Sequence, residues 1–415
     1  DAVLGANSHA GKAIMFSAIT SLIGLISLVA FPVMMLRSVG IGAVAVIFAA
    51  LLAALTLMPA LLAILGHRAN RFRIGPDWAK RNGFWVPLSN WVMKRPWMVL
   101  LPTVTILVLL AIPAGSMRPG TVDATILPDS FESRRGFDVL REEFGFALKT
   151  VIPVGYTFEG SPFARRNIDN AYDIGRELER LDGVSRVISV VNLDPTFGPD
   201  QYEVLYQSPE SITDVALARI VRETVRDGAI LFLVESELHP FWPETRELVT
   251  EIRSLLPPEG NGGTLHVDGG ASEITDIINA LYGKFPIIIA VVLIVTYLSL
   301  MLLFRSVILP LKAVLLNVLS ILASYGALVF VFQQGHFSGL LNFEAMGVIE
   351  ATLPILLFAI IFGLSMDYEI FLLSRVAEAY DRTGDNEAAV AEGLQKSGMI
   401  ITGAAGILIV VAASF

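Results

Sequence analysis

The sequence predicts a polytopic α-helical membrane bundle that carries a separate α+β domain between two of its spans. Three observations lead there. Hydrophobic residues make up 54% of the 415, above the ~45–50% apolar content of soluble domains even with glycine counted. Seven apolar runs are long enough to cross a bilayer, which takes roughly 17–25 residues of helix. Between the third and fourth runs, over residues 118–284, charges return and the pattern changes to short strand-like stretches alternating with helical ones.

The runs, in order, are Ala13–Leu36, Ser38–Gly66, Pro96–Met117, Phe285–Phe304, Ala313–Gln334, Ala351–Ser374 and Ser397–Phe415. Six are uncharged, and the sixth in order holds two internal acids. Lys and Arg in the connections set the orientation. Arg68, Arg71, Arg73, Lys80, Arg81, Lys94 and Arg95 follow the second run, and Arg375, Arg382 and Lys396 follow the sixth. The link Gln333–Glu350 has no Lys or Arg. Residues 67–95 and 376–396 are therefore expected on the cytoplasmic side, and 118–284 and 335–350 outside. Pro87–Lys94, with Trp85, Trp91 and Trp97 in and around it, reads as an interfacial segment with an aromatic belt.

The outer segment opens on a polar entry and continues as strand-like Val151–Phe158, a helical stretch from Arg165 to Leu181, and strand-like Ser185–Val191. After an inserted segment come Ala229–Ser236, a helix from Glu244 to Leu256, and strand-like Thr264–Gly269, preceded by the turn sequence PPEGNGG. The order β-α-β…β-α-β is that of a split βαβ, or ferredoxin-like, domain. Ala271–Phe285 reads as a helix running into the fourth span.

The stretch on which function is expected to turn is ATLPILLFAIIFGLSMDYEIFLLSR, Ala351–Arg375. Asp367 falls inside the hydrocarbon region, on the Arg375 side of its middle. An acid there costs roughly 2.5–3.5 kcal/mol on insertion scales, so it belongs in a bundle interior and marks a function. A carboxyl that gains and loses a proton changes the attraction between its helix and the neighbours, and so biases a two-state bundle. Tyr368 is placed to hydrogen-bond it, and the two are the expected proton relay. Glu369 lies about 200° around the helix from Asp367 and faces elsewhere.

Ser17, Thr20 and Ser21 in the first run, Thr402 in the last, and Asn317, Ser320 and Ser324 on one face of the fifth are candidates to support the relay. The plainer reading is ordinary small-polar packing between helices, worth about 0.6 kcal/mol per contact.

Other chemistries find no footing in the residues. There is no cysteine, which excludes disulfides and thiolate metal sites. His9, His67, His239, His266 and His336 share no metal-ligand spacing, so no metal, no cofactor and no enzyme activity is expected. The net charge of −9 is not that of a nucleic-acid binder.

A faint repeat relates the two ends. A shift of 387 positions pairs Ala2-Val3 with Ala389-Val390, Gly11 with Gly398, Ile14 with Ile401 and Ala18 with Ala405. The last run then looks like a second copy of the first, and the counterpart of the Asp367 helix would precede residue 1. With Asp at position 1 and an apolar run still open at Phe415, the chain is expected to be a piece of a longer protein. The remainder of that protein would be its first partner.

GLSMDYEIFLLSR resembles the MmpL group of the resistance-nodulation-division (RND) transporter superfamily, in which an Asp-Tyr pair sits mid-membrane in each half. FRSVILPLKAVLLNVLSILASYG (Phe304–Gly326) is similar to the junction between two spans in that group, and LRSVGIGAVAVIFAALLAALTLMPALLAILG (Leu36–Gly66) looks like the end of its first half. The 118–284 domain sits where the family has a porter-like domain.

The resemblance implies export of lipids or other hydrophobic molecules across the bacterial cytoplasmic membrane, driven by the proton-motive force. It also implies that the start of the first half and the last span lie outside this chain. Protons, membrane lipids and a hydrophobic substrate are the expected partners, and a homo-oligomer is compatible with the sequence. The alternatives are a SecDF-like helper of protein translocation and a lipid- or sterol-sensing scaffold that transports nothing.

Overall fold

The computed structural model describes residues 2–66, 84–145, 149–207, 214–255 and 263–414, with side chains from residue 14 onward. The chain forms two compact units. One is helical, made of Asp1–Met117, Leu281–Phe330 and Thr352–Phe415, and the other carries the sheet, made of Arg118–Ala280 and Val331–Ala351.

The helical unit begins with α1 (Ala2–Ile26), a 3-10 turn over Ser27–Ala30, and α2 (Met34–Leu52). The break expected at Arg37 falls earlier, at Phe31–Val33, because Pro32 forces the residue before it out of the helical region. Phe31 accordingly has ψ 144°. Arg37 then lies in the first turn of α2, where its Nε donates to the Phe31 carbonyl at 2.8 Å.

A π turn over Ala53–Leu57 leads into α3 (Met58–Leu65). Pro59 has no N–H to give the preceding turn, so the hydrogen-bond ladder slips there. Of the expected cytoplasmic link, residues 67–83 lie outside the described residues. Its end forms α4 (Trp85–Lys94), and Pro96 opens α5 (Pro96–Ala111) at a position where a missing N–H is harmless.

The sheet-bearing unit runs β1 (Pro119–Gly120), α6 (Glu132–Phe144), β2 (Thr150–Thr157), α7 (Arg165–Arg180), β3 (Val184–Ile188), α8 (Pro199–Leu205), α9 (Val215–Thr224), β4 (Val225–Arg226), β5 (Ala229–Ser236), α10 (Pro243–Ser254), β6 (Thr264–Val267) and α11 (Gly270–Tyr282), which leads out of it. The main sheet has the order β3-β5-β2-β6, with β4 folded onto β5. Every neighbouring pair is antiparallel.

Alternation explains the core. Ile152, Val154 and Tyr156 of β2 and Ile230, Phe232 and Val234 of β5 point to one face and are fully buried. Ile168, Ala171, Ile174 and Leu178 of α7, at helical spacing, cover them. Most of the turn PPEGNGG lies outside the described residues.

Leaving this unit, the chain forms α12 (Phe285–Phe304), α13 (Ile308–Leu328), α14 (Ser338–Leu341), β7 (Ile349–Glu350), α15 (Leu353–Thr383) and α16 (Asn386–Ala412). α13 starts five residues before the apolar run that announced it, because its first turn accepts Pro310 without penalty. α15 ends on Gly384, whose φ of 68° lies in the left-handed region that favours a residue without a Cβ. Asp385 caps α16 by accepting from the Glu387 and Ala388 amides at 2.9 and 3.3 Å.

Among the described residues six helices are long and apolar enough to cross a membrane, where the sequence led us to expect seven. The first run is represented by the shorter apolar stretch Ile14–Ala30 among the described residues.

The link before α15 folds with the sheet-bearing unit. β7 pairs in parallel with β1, Pro119 with Ile349 and Gly120 with Glu350. Gln333 Oε1 accepts from the Arg118 amide at 2.9 Å. Buried Arg134 donates to Asp138 at 2.8 Å, to the Thr125 carbonyl at 2.7 Å and to Glu344 at 3.0 Å. One guanidinium thus ties the entry to this unit to the segment that leaves it.

Candidate functional site

Asp367 lies midway along α15, on the stripe that packs against α1. The two helices meet through glycines. A Cβ built on Gly24 would sit 3.1 Å from the Ala359 carbonyl oxygen, and one on Gly363 would sit 3.4 Å from Ser21 Cα. Small residues at such a seam let two backbones approach. The approach sets Ser21, 8% exposed, against the carboxyl. Its Oγ donates to Asp367 Oδ1 at 2.7 Å. Ser17, one turn earlier on α1, lies on the same side of that helix and within electrostatic reach of the carboxyl. Asp367, Ser17 and Ser21 also line a cavity of about 420 Å³, whose other walls are apolar residues such as Ile14, Ala50, Leu51 and Ile360. The arrangement can hold a proton-exchanging carboxyl beside a largely apolar space.

The remaining sequence candidates separate. Tyr368 follows Asp367 on α15 and is half-buried. Thr20 donates within α1, to the Phe16 and Ser17 carbonyls at 3.2 and 2.9 Å. Ser320 and Ser324 donate to Leu316 and Ser320 carbonyls at 2.9 Å, and Thr402 donates to the Gly398 carbonyl at 2.7 Å. These four hydroxyls return to their own helices, as Ser and Thr in a helix interior commonly do.

Asn317 is buried, and neither its Oδ1 nor its Nδ2 has a partner among the described residues. Glu369, on another face of α15, is within electrostatic reach of Lys312. The sequence signal that singles out Ser21 from the other hydroxyls is its i, i+4 spacing from Ser17 combined with Gly24 one turn on.

α15 is flanked by α1 on one side and α16 on the other. Gly393 of α16 approaches α15 so closely that a Cβ there would lie 2.4 Å from Val376. At the far end of the α16 contact with α4, Gln395 Nε2 donates to Ser89 Oγ at 2.9 Å.

In the sheet-bearing unit a second polar cluster surrounds His239. Its Nε2 lies 3.4 Å from Asp123 Oδ2, and its ring packs against Phe241 and Trp242. Burial holds the His239 pKa below its ordinary value. The facing Asp123 opposes that shift, and the Arg141 charge adds to it.

Comparison with known proteins places these features. The family described as the MMPL family matches residues 1–99 and 220–415. The chain is similar to the heme uptake protein MmpL11 of Mycobacterium tuberculosis, with 31% identity over 420 residues, covering 100% of this chain and 40% of that protein. It is similar to the trehalose monomycolate exporter MmpL3 of the same organism, with 29% identity over 438 residues, covering 98% of this chain and 43% of that protein. The chain therefore spans less than half the length of these relatives. Among solved structures it resembles the hedgehog release protein Disp from the water bear Hypsibius dujardini. The TM-score is 0.57 at 15% identity, over 96% of this chain and 54% of that one, a likeness of fold.

Proposed function

Because the chain belongs to the MMPL family of multi-pass membrane proteins, we propose that it forms part of a transporter in the bacterial cytoplasmic membrane that exports lipids or similar hydrophobic molecules using the proton-motive force. The observation that carries this reading is Asp367, a carboxyl inside a membrane-crossing helix that receives a hydrogen bond from Ser21 at 2.7 Å. Ionisable groups at that depth are costly and face a bundle interior where they serve transport or proton transfer. Asp367 takes up and releases the proton, Ser17 and Ser21 orient its carboxyl, and Tyr368 supplies a further hydroxyl on the same helix. A change of charge at Asp367 alters the attraction between α15 and α1, the two-state element that couples the gradient to transport.

The sheet-bearing unit is the porter-like domain of this reading, on the extracytoplasmic side. Its element order β2-α7-β3…β5-α10-β6, with the first strand between the third and fourth in an antiparallel sheet, supports a ferredoxin-like assignment. The substrate class follows the relative whose name is trehalose monomycolate exporter. A second reading, movement of a porphyrin-like hydrophobic cargo, is favoured by the relative named as a heme uptake protein.

The test is transport by the intact protein in proteoliposomes with an imposed pH gradient, using a fluorescent glycolipid and heme as alternative cargoes. The proposal expects glycolipid movement that stops when a protonophore collapses the gradient. Movement that continues unchanged without a gradient contradicts it, and gradient-dependent movement of heme alone favours the second reading.

A further inference from the structure

Asp367 is not the sole polar feature inside the helical unit. Thr296 on α12 is fully buried and Asn317 on α13 is 2% exposed. The Thr296 hydroxyl and both polar atoms of the Asn317 amide have no hydrogen-bond partner among the described residues. Most Ser and Thr residues in these helices donate to the carbonyl a turn back, as Ser299, Ser320 and Ser324 do on the same two helices. Thr296 and Asn317 depart from that habit.

Their positions match. α12 and α13 are consecutive helices that pack on each other and are joined by a tight turn at Arg305–Val307. Thr296 lies nine residues before Arg305 and Asn317 nine residues after Ile308. Each is therefore about 14 Å from its end of the turn at 1.5 Å per residue, and the two stand at one depth.

Both belong to the buried stripe of their helix, Thr296 with Val292 and Leu300, Asn317 with Ala313, Val314 and Ile321. A buried amide or hydroxyl left unpaired keeps the whole cost of having lost its water. Bulk water is absent from the hydrocarbon layer, so it cannot meet that need. Bound water can. Buried waters typically make about three hydrogen bonds to groups of this kind. The amide offers two N–H donors and a carbonyl acceptor, and the hydroxyl offers one donor and its lone pairs.

We propose that Thr296 and Asn317 bind ordered water between α12 and α13, a second polar site in the membrane interior separate from the Asp367–Ser17–Ser21 cluster. Asn317 is then a positioning residue for water, and the site is a wet joint at which the two helices shift without leaving polar groups bare. The site deepens the proton-coupled reading by placing mobile protons in the same bundle as Asp367. Its existence does not depend on that reading.

The chain has no cysteine, so single thiols report hydration cleanly. In the intact protein in native membranes, Thr296→Cys and Asn317→Cys are compared with Val292→Cys and Ile321→Cys. These controls replace equally buried apolar residues one turn away. A small hydrophilic probe, silver ion, is added, and unreacted thiol is counted after denaturation. The proposal expects the first pair to react roughly tenfold faster or more, a barrier difference of ~1.4 kcal/mol. Equal rates at all four positions overturn it.

A measurement on the unsubstituted protein guards against disturbed folding. High-resolution cryo-EM density should show a peak about 2.7–3.2 Å from Asn317 Nδ2 or Oδ1. An amide packed against carbon on every side overturns the proposal. Loss of proton coupling in Asp367 variants leaves both outcomes unaffected, so the two ideas fail separately.

Discussion

Replacing Gly24 by valine should separate Ser21 from Asp367 without touching either residue. At Gly24 a Cβ alone would stand 3.1 Å from the Ala359 carbonyl oxygen, 3.6 Å from Phe362 and 3.7 Å from the Gly363 nitrogen. Alanine therefore fits after a shift of a few tenths of an ångström. Valine adds two methyls on a stiff χ1, with one helix backbone in front of them, so α1 must move away from α15.

Overpacking of this kind costs about 1–3 kcal/mol. The Ser21–Asp367 hydrogen bond at 2.7 Å does not survive a separation of about 1 Å, which carries it beyond the ~3.0 Å limit of an O–H···O bond. Its loss adds about 0.5–1.5 kcal/mol. Together the two give a destabilisation of about 1.5–4.5 kcal/mol.

The assays are thermal unfolding in detergent and gradient-driven transport in proteoliposomes. Gly24→Ala should keep most of both. Ser21→Ala should lose transport with little change in stability, and Gly24→Val should lose both. A Gly24→Val protein with unchanged stability and transport would refute the claim that this glycine seam sets the site.

Two further predictions concern the sheet-bearing unit. Arg134→Met should leave Asp138, Glu344 and the Thr125 carbonyl without their shared donor, at a cost of about 1–3 kcal/mol. Amide exchange at Ile349 and Ala351, which donate at 2.9 Å across the β1–β7 pair, should speed up; unchanged protection there would show that the guanidinium is not the tie.

His239 should make this unit lose stability on acidification. Burial holds its folded pKa down, so the unfolded chain binds the proton first. Stability is then lost as pH falls through about 6.5 toward the folded value. His239→Asn should flatten unfolding temperature against pH over that window, and parallel curves for the two proteins would contradict the assignment.

Much of this architecture was legible in the residues because its signals are local. Long uncharged runs, alternation in Ala229–Ser236, and helical spacing from Arg165 to Leu181 each report a face that must be buried, and the strand and the helix of the last two fall within a residue of those signals. Helix ends were less legible where they depend on proline. Pro32 moved the first break away from the charge at Arg37, and Pro310 sits inside α13 rather than before it.

The β1–β7 pair was invisible. Two-residue strands separated by more than two hundred positions carry no periodicity, and the ties made by Arg134 and Gln333 are long-range. At the site, Asp367 announced itself by its cost in a membrane, whereas Ser17 and Ser21 stood among the other small hydroxyls with nothing in composition to set them apart. Thr20, Ser320, Ser324 and Thr402 looked equivalent on paper. Their hydroxyls turn back onto their own helices, a choice that composition does not encode.

The most direct test of proton coupling through Asp367 is transport by Asp367→Asn in the intact protein, measured in proteoliposomes under an imposed pH gradient. Asparagine has nearly the same volume and still accepts from Ser21, so expression, membrane insertion and thermal stability should stay close to those of the unsubstituted protein. An amide cannot take up or release the proton, so gradient-driven transport should fall to the level of empty liposomes. Tyr368→Phe should lose less, since it leaves the titrating group in place. Glu369→Gln, on another face of α15, should lose least. An Asp367→Asn protein that transports at the full rate would contradict the account.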